Sequence, residues 1–333
     1  MNPSLQGVPP RRKLRAMSLD LPRILAAHDR IRPHIHRTPV LTSERLNQAC
    51  GGQLFFKCEN FQKVGAFKAR GAVNAVFSLD DATARRGVAT HSSGNHAAAL
   101  ARAARLRGIA AHIVMPSNSP KIKARAVKGY GGQITFCEPN QAAREAACAK
   151  IIAATGATLI HPFENEDVMA GQGTAAVELL QDVADLDLVL CPVGGGGLLA
   201  GTAVATKGLR PSATIIATEP AQAGDAADSF RAGHVVPLTK ADTIADGLRT
   251  NIGAPNFAIV QRHVSDVVTV REDSIVAAMR AIWEAMKIVI EPSAAVPYAA
   301  ILEGRVNVAG RRVGIILSGG NVDLDALPWM PRT

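Results

Sequence analysis

Cysteine is scarce in this sequence and badly spaced for chemistry. Its five cysteines, Cys50, Cys58, Cys137, Cys148 and Cys191, form no CxxC pair and no other metal-ligand spacing. An odd, scattered set argues against a disulfide framework, and a reducing cytoplasm is the expected compartment. No uninterrupted apolar stretch reaches the roughly 18 residues that a membrane span needs. No apolar segment suited to a secretory signal follows the basic start. Internal repeats and low-complexity segments are absent. Aromatic residues make up only 4% of the chain and do not interleave with the basic residues. Neither a membrane nor a nucleic acid is therefore an expected partner.

The chain is long enough for two lobes with real cores: 333 residues, 47% hydrophobic and 20% charged. Its net charge of +9 is unevenly placed. Arg11, Arg12, Lys13 and Arg15 precede any acidic residue, so residues 1–16 read as a disordered basic leader, with Met17 a candidate start. The rest of the basic excess is spread over helical patterns, as on solvated faces. A moderately positive surface favours an anionic substrate.

Short apolar runs alternate with helical patterns through the body. Strands are expected at Gly87–His91, Ala111–Met115, Gln133–Phe136, Asp187–Val193, Thr214–Thr218 and Arg312–Leu317. Helices are expected at Asn95–Leu106, Pro120–Lys128 and Ala142–Ala154, from Leu198 onward, and at Asp273–Met286. Such alternation predicts an α/β fold: two lobes, each a mainly parallel twisted sheet flanked by helices, with the active site between them.

Four glycine-bearing segments carry the chemistry. Gly194, Gly195, Gly196 and Gly197 follow a buried-type strand and open a helix. Glycines let the backbone approach a phosphate closely, and free N–H groups at the helix start donate to its oxygens. A plain turn is the simpler alternative. A dinucleotide fingerprint does not fit, because GxGxxG would need glycine at Leu199. Lys68 sits among small or aromatic neighbours, Gly65, Ala66, Phe67, Ala69 and Gly71. Desolvation there lowers an amine's pKa and makes it a nucleophile or base, although most helical lysines are solvated. The run Ser92, Ser93, Gly94, Asn95, His96 suits a carboxylate at a helix start, or equally an N-cap by Ser93 or Asn95. Ser318-Gly319-Gly320-Asn321 is a further turn after the last strand. A lysine that condenses with an aldehyde and glycines that hold a phosphate together point to pyridoxal 5′-phosphate (PLP).

Taken together, these segments resemble the β-family, or fold type II, of PLP enzymes, whose fold is that of the tryptophan synthase β-subunit. The resembling subgroup is the serine/threonine dehydratases and eukaryotic-type serine racemases. The similarity runs from about Ala27 to Leu327 and includes Phe56–Gln62, Lys128–Gly132, Ala170–Thr174, Thr243–Gly247, Ile290–Pro292 and Ser318–Asp323. The resemblance implies that Lys68 carries PLP and serves as base, that Phe67 and Asn95 hold the ring, that Gly194–Gly197 hold the phosphate, and that Ser318 bonds the pyridine nitrogen. It places the substrate carboxylate on Ser92, Ser93, Gly94, Asn95 and His96, with help from Arg144, and makes Ser93 the acid/base on the opposite face. It puts a divalent cation, Mg²⁺ or else Ca²⁺ or Mn²⁺, on Glu219, Asp225 and the Ala223 carbonyl, which suits a hard ion.

The implied activity is elimination of water from a β-hydroxy amino acid (serine, threonine or 3-hydroxyaspartate type) to a 2-oxo acid and ammonia. Serine racemisation is the alternative, and a non-catalytic PLP or amino-acid binder the remote one. A homodimer is the expected assembly. Residues 17–84 and 168–333 are expected to form a large PLP-binding domain and 85–167 a small one. Two positions depart from the family's habit: Ala66 replaces a frequent serine, and Ala223-Gly224 alters the cation loop. No regulatory domain is expected after Asp323, so isoleucine feedback is not expected either.

Overall fold

The computed structural model describes residues 19–92 and 94–330. The basic leader, the Met17 start and Ser93 lie outside these residues.

Continuous apolar runs become central strands, because a parallel strand covered by helices is buried on both faces. Leu188–Pro192 (β7) is buried throughout, and Arg312–Leu317 (β10) is buried from its second residue onward. They belong to a six-stranded sheet that also contains Val40–Leu41 (β1), Gln53–Cys58 (β2), Thr214–Pro220 (β8) and Asp266–Val270 (β9). Its order is β1-β2-β10-β7-β8-β9, parallel except for β1 against β2. A second sheet gathers Val88–His91 (β3), Ala111–Pro116 (β4), Gln133–Cys137 (β5) and Thr158–Leu159 (β6) in the order β5-β4-β3-β6, all parallel.

The expected elements recur with every expected boundary within two residues, and the helix expected from Leu198 runs over Gly197–Leu209. Of the two capping alternatives at residues 92–96, Asn95 is the first helical residue rather than the cap, and Ser93 lies outside the described residues. Gly94 is the N-cap of the Asn95–Arg107 helix and has no side chain to bond its first turn.

Three helices that frame the site cross at backbone contact. They are Lys68–Phe77, Glu166–Asp182 and Gly197–Leu209. A Cβ on Gly171 would lie 2.6 Å from the Arg70 carbonyl oxygen, and one on Gly201 would lie 2.4 Å from that of Met169. Only glycine allows this approach. Beside the crossing lies a fully buried ion cluster. Arg70 forks onto Glu59 at 2.7 and 2.8 Å and onto Glu178 at 2.8 and 2.7 Å. Lys57 adds a bond to Glu178 at 2.6 Å, so two cations meet two carboxylates. Removing one partner from such a set costs about 3–5 kcal/mol, because the others stay buried and charged.

Candidate active site

The site forms where the segment before Lys68 is pinned to the end of β10. Ala66 bridges Gly319, the Phe67 N–H donates to the Ser318 carbonyl at 3.0 Å, and the Gly320 N–H donates to that of Gly65 at 2.9 Å. Gly65 takes the left-handed conformation, φ +70°, that this turn requires. Lys68 then opens its helix beside the sheet's carboxyl end. Gly194–Gly197 reach the same place from β7, with Gly196 at φ +84° as N-cap of the following helix. One narrow cavity is lined by Phe67, Lys68, Asn95, Gly194–Gly197 and Ser318. Glu291, Ser293 and Phe163 line it too. Asn95 also lines a cleft of about 1210 Å³ that holds Lys123, Tyr130, Asp246, Arg249 and Asn321. Lys123 pairs with Asp246 there.

Burial pushes the Lys68 amine down to about 8, against the opposing pull of Glu291. Its Nζ donates to the Pro162 carbonyl at 2.8 Å. Glu291 is pushed up to about 7 by burial, with Asp246 adding to the shift. It accepts from Asn95 Nδ2 and from the Asn321 N–H at 3.1 Å. Sequence reasoning gave Glu291 no role, nor Pro162 and Phe163. Glu291 falls within the Ile290–Pro292 segment, and the other two belong to no motif.

The carboxylate segment is only partly aimed at the cavity. Ser92 Oγ accepts from the Gly94 N–H at 3.4 Å. His96, expected among the substrate contacts, is buried, and its Nε2 bonds the Ile160 carbonyl at 3.0 Å. Burial and the nearby Lys68 push it down to about 3, so it stays neutral. Its ring therefore belongs to the lobe's packing, and only its backbone remains at the helix start. Arg144 lies on the Gln141–Thr155 helix, where Nη2 bonds Gln141 at 2.5 Å, and it lines neither cavity. It does face His91, whose pKa burial and the Arg144 charge together lower. Its Nε is buried without a partner.

The expected cation residues lie together. Glu219, at the end of β8, accepts from the Ala226 and Ala227 N–H groups at 3.2 and 3.0 Å. Asp225 Oδ2 accepts from the Ile252 N–H at 2.7 Å, and Oδ1 is buried without a partner. Burial raises both carboxyls, Glu219 well above its ordinary value with Asp225 adding to the shift, and Asp225 to about 6. Among the described residues no group of three or more His, Cys, Asp or Glu is arranged to hold a metal. The pair fits a hard cation only with carbonyl or water oxygens completing the set, such as that of the buried Ala223.

A buried amine of lowered pKa facing four glycines at a helix start is what an aldehyde-bearing phosphate requires. A family profile described as "Pyridoxal-phosphate dependent enzyme" matches residues 31–319. The chain belongs to this family. Within it the chain falls in the serine racemase and dehydratase subgroup of fold type II. It is similar to the beta-hydroxyaspartate dehydratase of Paracoccus denitrificans (strain Pd 1222), 53% identical over 306 residues that cover 92% of this chain and 97% of the relative. It is similar to the serine racemase of Arabidopsis thaliana, 50% identical over 92% of this chain and 95% of that one. The solved structure of maize serine racemase matches with a TM-score of 0.91 at 46% identity, covering 93% of this chain and 95% of the other. No helix among the described residues is long and apolar enough to cross a membrane.

Proposed function

We propose that this family member removes water from a 3-hydroxyaspartate-type substrate, giving a 2-oxo acid and ammonia, and that serine and threonine are poorer substrates. The observation that carries the choice is the 53% identity to a beta-hydroxyaspartate dehydratase, and the row of residues from the amine to Arg144 supports it. Lys68 and His91 both act on His161, and Arg144 acts on His91. Burial lowers both imidazoles and Glu145 acts on each, so the cation left on this row is Arg144, whose Nε has no hydrogen-bond partner and which would have to turn toward the cavity to meet a second carboxylate.

When bound, PLP withdraws electrons from the substrate nitrogen and acidifies the Cα proton. The remaining roles fall to this chain's residues. Lys68 would hold the cofactor and, once free, take the Cα proton; an amine near 8 suits a base. Gly194–Gly197 would hold the phosphate through backbone N–H groups. Phe67 and Asn95 would flank the ring. Ser318, a hydroxyl rather than a carboxylate, would leave the ring nitrogen uncharged, which favours prompt loss of the β-hydroxyl. The start of the Asn95–Arg107 helix, with Ser92, Ser93 and Gly94, would hold the α-carboxylate. Ser93 would serve the opposite face of Cα. Glu219, Asp225 and the Ala223 carbonyl would hold the divalent cation. The free enamine product then tautomerises and takes up water, releasing ammonia.

Segments 17–84 and 168–333 would form the cofactor domain and 85–167 the small domain, in a cytoplasmic homodimer. Racemisation of serine is the second reading, favoured by the 50% identity to a serine racemase.

A substrate panel tests the proposal, with ammonia and 2-oxo acid as readouts. Hydroxyaspartate should exceed serine in kcat/KM, and Arg144→Met should raise KM for hydroxyaspartate while leaving serine near wild type. Preference for serine, or equal losses on both, overturns the dicarboxylate reading. Chiral analysis of recovered serine measures racemisation separately.

A further inference from the structure

The carbonyl that receives the Lys68 amine belongs to Pro162, and nothing in the lysine's own helix sets its direction. The turn around it does. His161 Nδ1 accepts from the Glu164 N–H at 2.9 Å and from the Phe163 N–H at 3.4 Å. This copies what an Asn or Asp side chain does when it bonds its own backbone two or three residues on. Two donors converging on Nδ1 fix the tautomer: Nδ1 keeps its lone pair and Nε2 carries the proton. The ring is held edge-on between Phe163, 4.6 Å between centroids, and His91, 5.5 Å. Burial, with His91 and Lys68 nearby, pushes His161 down to about 4, so the acceptor survives through the neutral range.

The same turn reaches the glycine loop. A Cβ on Gly195 would fall 2.3 Å from the Phe163 ring, and one on Gly197 would fall 3.1 Å from the Phe163 Cα. Asn256 Nδ2 donates to the carbonyls of both Gly195 and Phe163, at 2.5 and 3.2 Å. Residues 161–164 thus touch the amine on one side and the glycine loop on the other.

We propose that His161 is a positioning residue: its Nδ1 holds the 161–164 turn in the shape that presents the Pro162 carbonyl to Lys68 and the Phe163 ring to Gly194–Gly197. An amine that donates to this carbonyl aims its lone pair elsewhere, which orients Lys68 whenever it is free of the cofactor. His161 acts through Pro162 and Phe163 rather than on substrate. The inference rests on Lys68 being the cofactor's covalent anchor.

The test uses the holoenzyme and three variants, His161→Asn, His161→Phe and His161→Ala. Readouts are kcat, KM, thermal midpoint and cofactor retained after desalting. Asn keeps an acceptor for the same two N–H groups, whereas Phe keeps a ring and loses the acceptor. His161→Ala and His161→Phe should lose roughly ten- to hundredfold in kcat with little change in KM. His161→Asn should recover most of the loss. A His161→Phe enzyme better than His161→Asn would mean that ring packing is what matters, and would overturn the proposal. So would wild-type rates in all three, or equal losses in all three. Selective ¹⁵N-histidine labelling of the wild-type holoenzyme gives a check independent of the variants. His161 should remain the neutral Nε2–H tautomer well below its ordinary value of 6.5, and an Nδ1–H tautomer overturns the assignment. Borohydride reduction of the wild type, with the adduct mapped, separates the two readings. An adduct away from Lys68 refutes the anchor itself.

Discussion

Asn95 Nδ2 donates to both carboxylate oxygens of Glu291, at 3.1 and 3.2 Å. Asn95 follows β3 of the four-stranded sheet, and Glu291 opens the helix before β10 of the six-stranded one. The pair therefore joins the two lobes at the wall of the cofactor cavity. The Glu291 charge opposes the effect of burial on Lys68. Glu291→Gln keeps an acceptor for Asn95 and removes that charge, so the Lys68 ammonium should titrate below about 8. The rate at which apoenzyme reattaches PLP, measured against pH, should move its midpoint to lower pH. An unmoved midpoint would show that the Glu291 charge does not reach the amine.

Glu219 and Asp225 give a stability prediction with a definite sign. Both folded pKa values lie above the unfolded ones, so the protonated pair stabilises the fold at low pH. That contribution is lost as pH rises through the folded values, from 3.8 toward about 6 for Asp225 and higher for Glu219. Thermal midpoints in chelator should fall across this window, and Mg²⁺ should restore them above it. A midpoint indifferent to both pH and Mg²⁺ would remove the cation from Glu219 and Asp225.

Gly171→Ala should destabilise the protein by about 1–3 kcal/mol, because the added methyl meets backbone rather than a side chain that can turn away. The listener to that clash is the Lys68 helix, through the Arg70 carbonyl and Gly71 Cα, each 2.6 Å from the new atom. Gly129→Ala, with nothing within 4 Å, is the control. Urea unfolding of both variants decides the matter, and equal midpoints would deny the helix crossing its importance.

Ser93 is expected, by resemblance, to serve the face of Cα opposite Lys68. Ser93→Ala should lose turnover of D-serine and any racemisation while keeping part of the L-serine elimination, with the loss chiefly in kcat. Equal losses for the two enantiomers would reduce Ser93 to a carboxylate contact.

The elements read most clearly from the sequence were those with unbroken patterns. Leu188–Pro192 and Arg312–Leu317 are apolar because both faces are covered. Gln53–Cys58 went unread because Lys57 interrupts it, and Lys57 is buried with partners that lie elsewhere in the chain, the Thr38 carbonyl and Glu178, the latter 121 residues away. No local pattern carries that information. The glycine loop, Lys68, Asn95 and Ser318 were legible as motifs, and the structure places them around one cavity. His96 stands within a polar loop, and its ring turns to Ile160, a contact that no local pattern reveals. Pro162, Phe163 and Glu291 act through position: an ordinary carbonyl, an ordinary ring, and a carboxyl made unusual by burial.

The central place of β10 in the larger sheet has a consequence for how the chain is made. β10 sits between β2 and β7 and pairs residues some 259 positions apart, Arg312 with Gln53. The strands of the smaller sheet span only residues 88–159, so that unit can assemble while synthesis continues. The larger sheet stays split into two halves until residues 312–317 arrive, and closing so long a loop is slow. Ser318 and the backbone bridge that pins Ala66 arrive with them. A nascent chain can therefore carry Lys68 and all four glycines well before it has a place to put the cofactor.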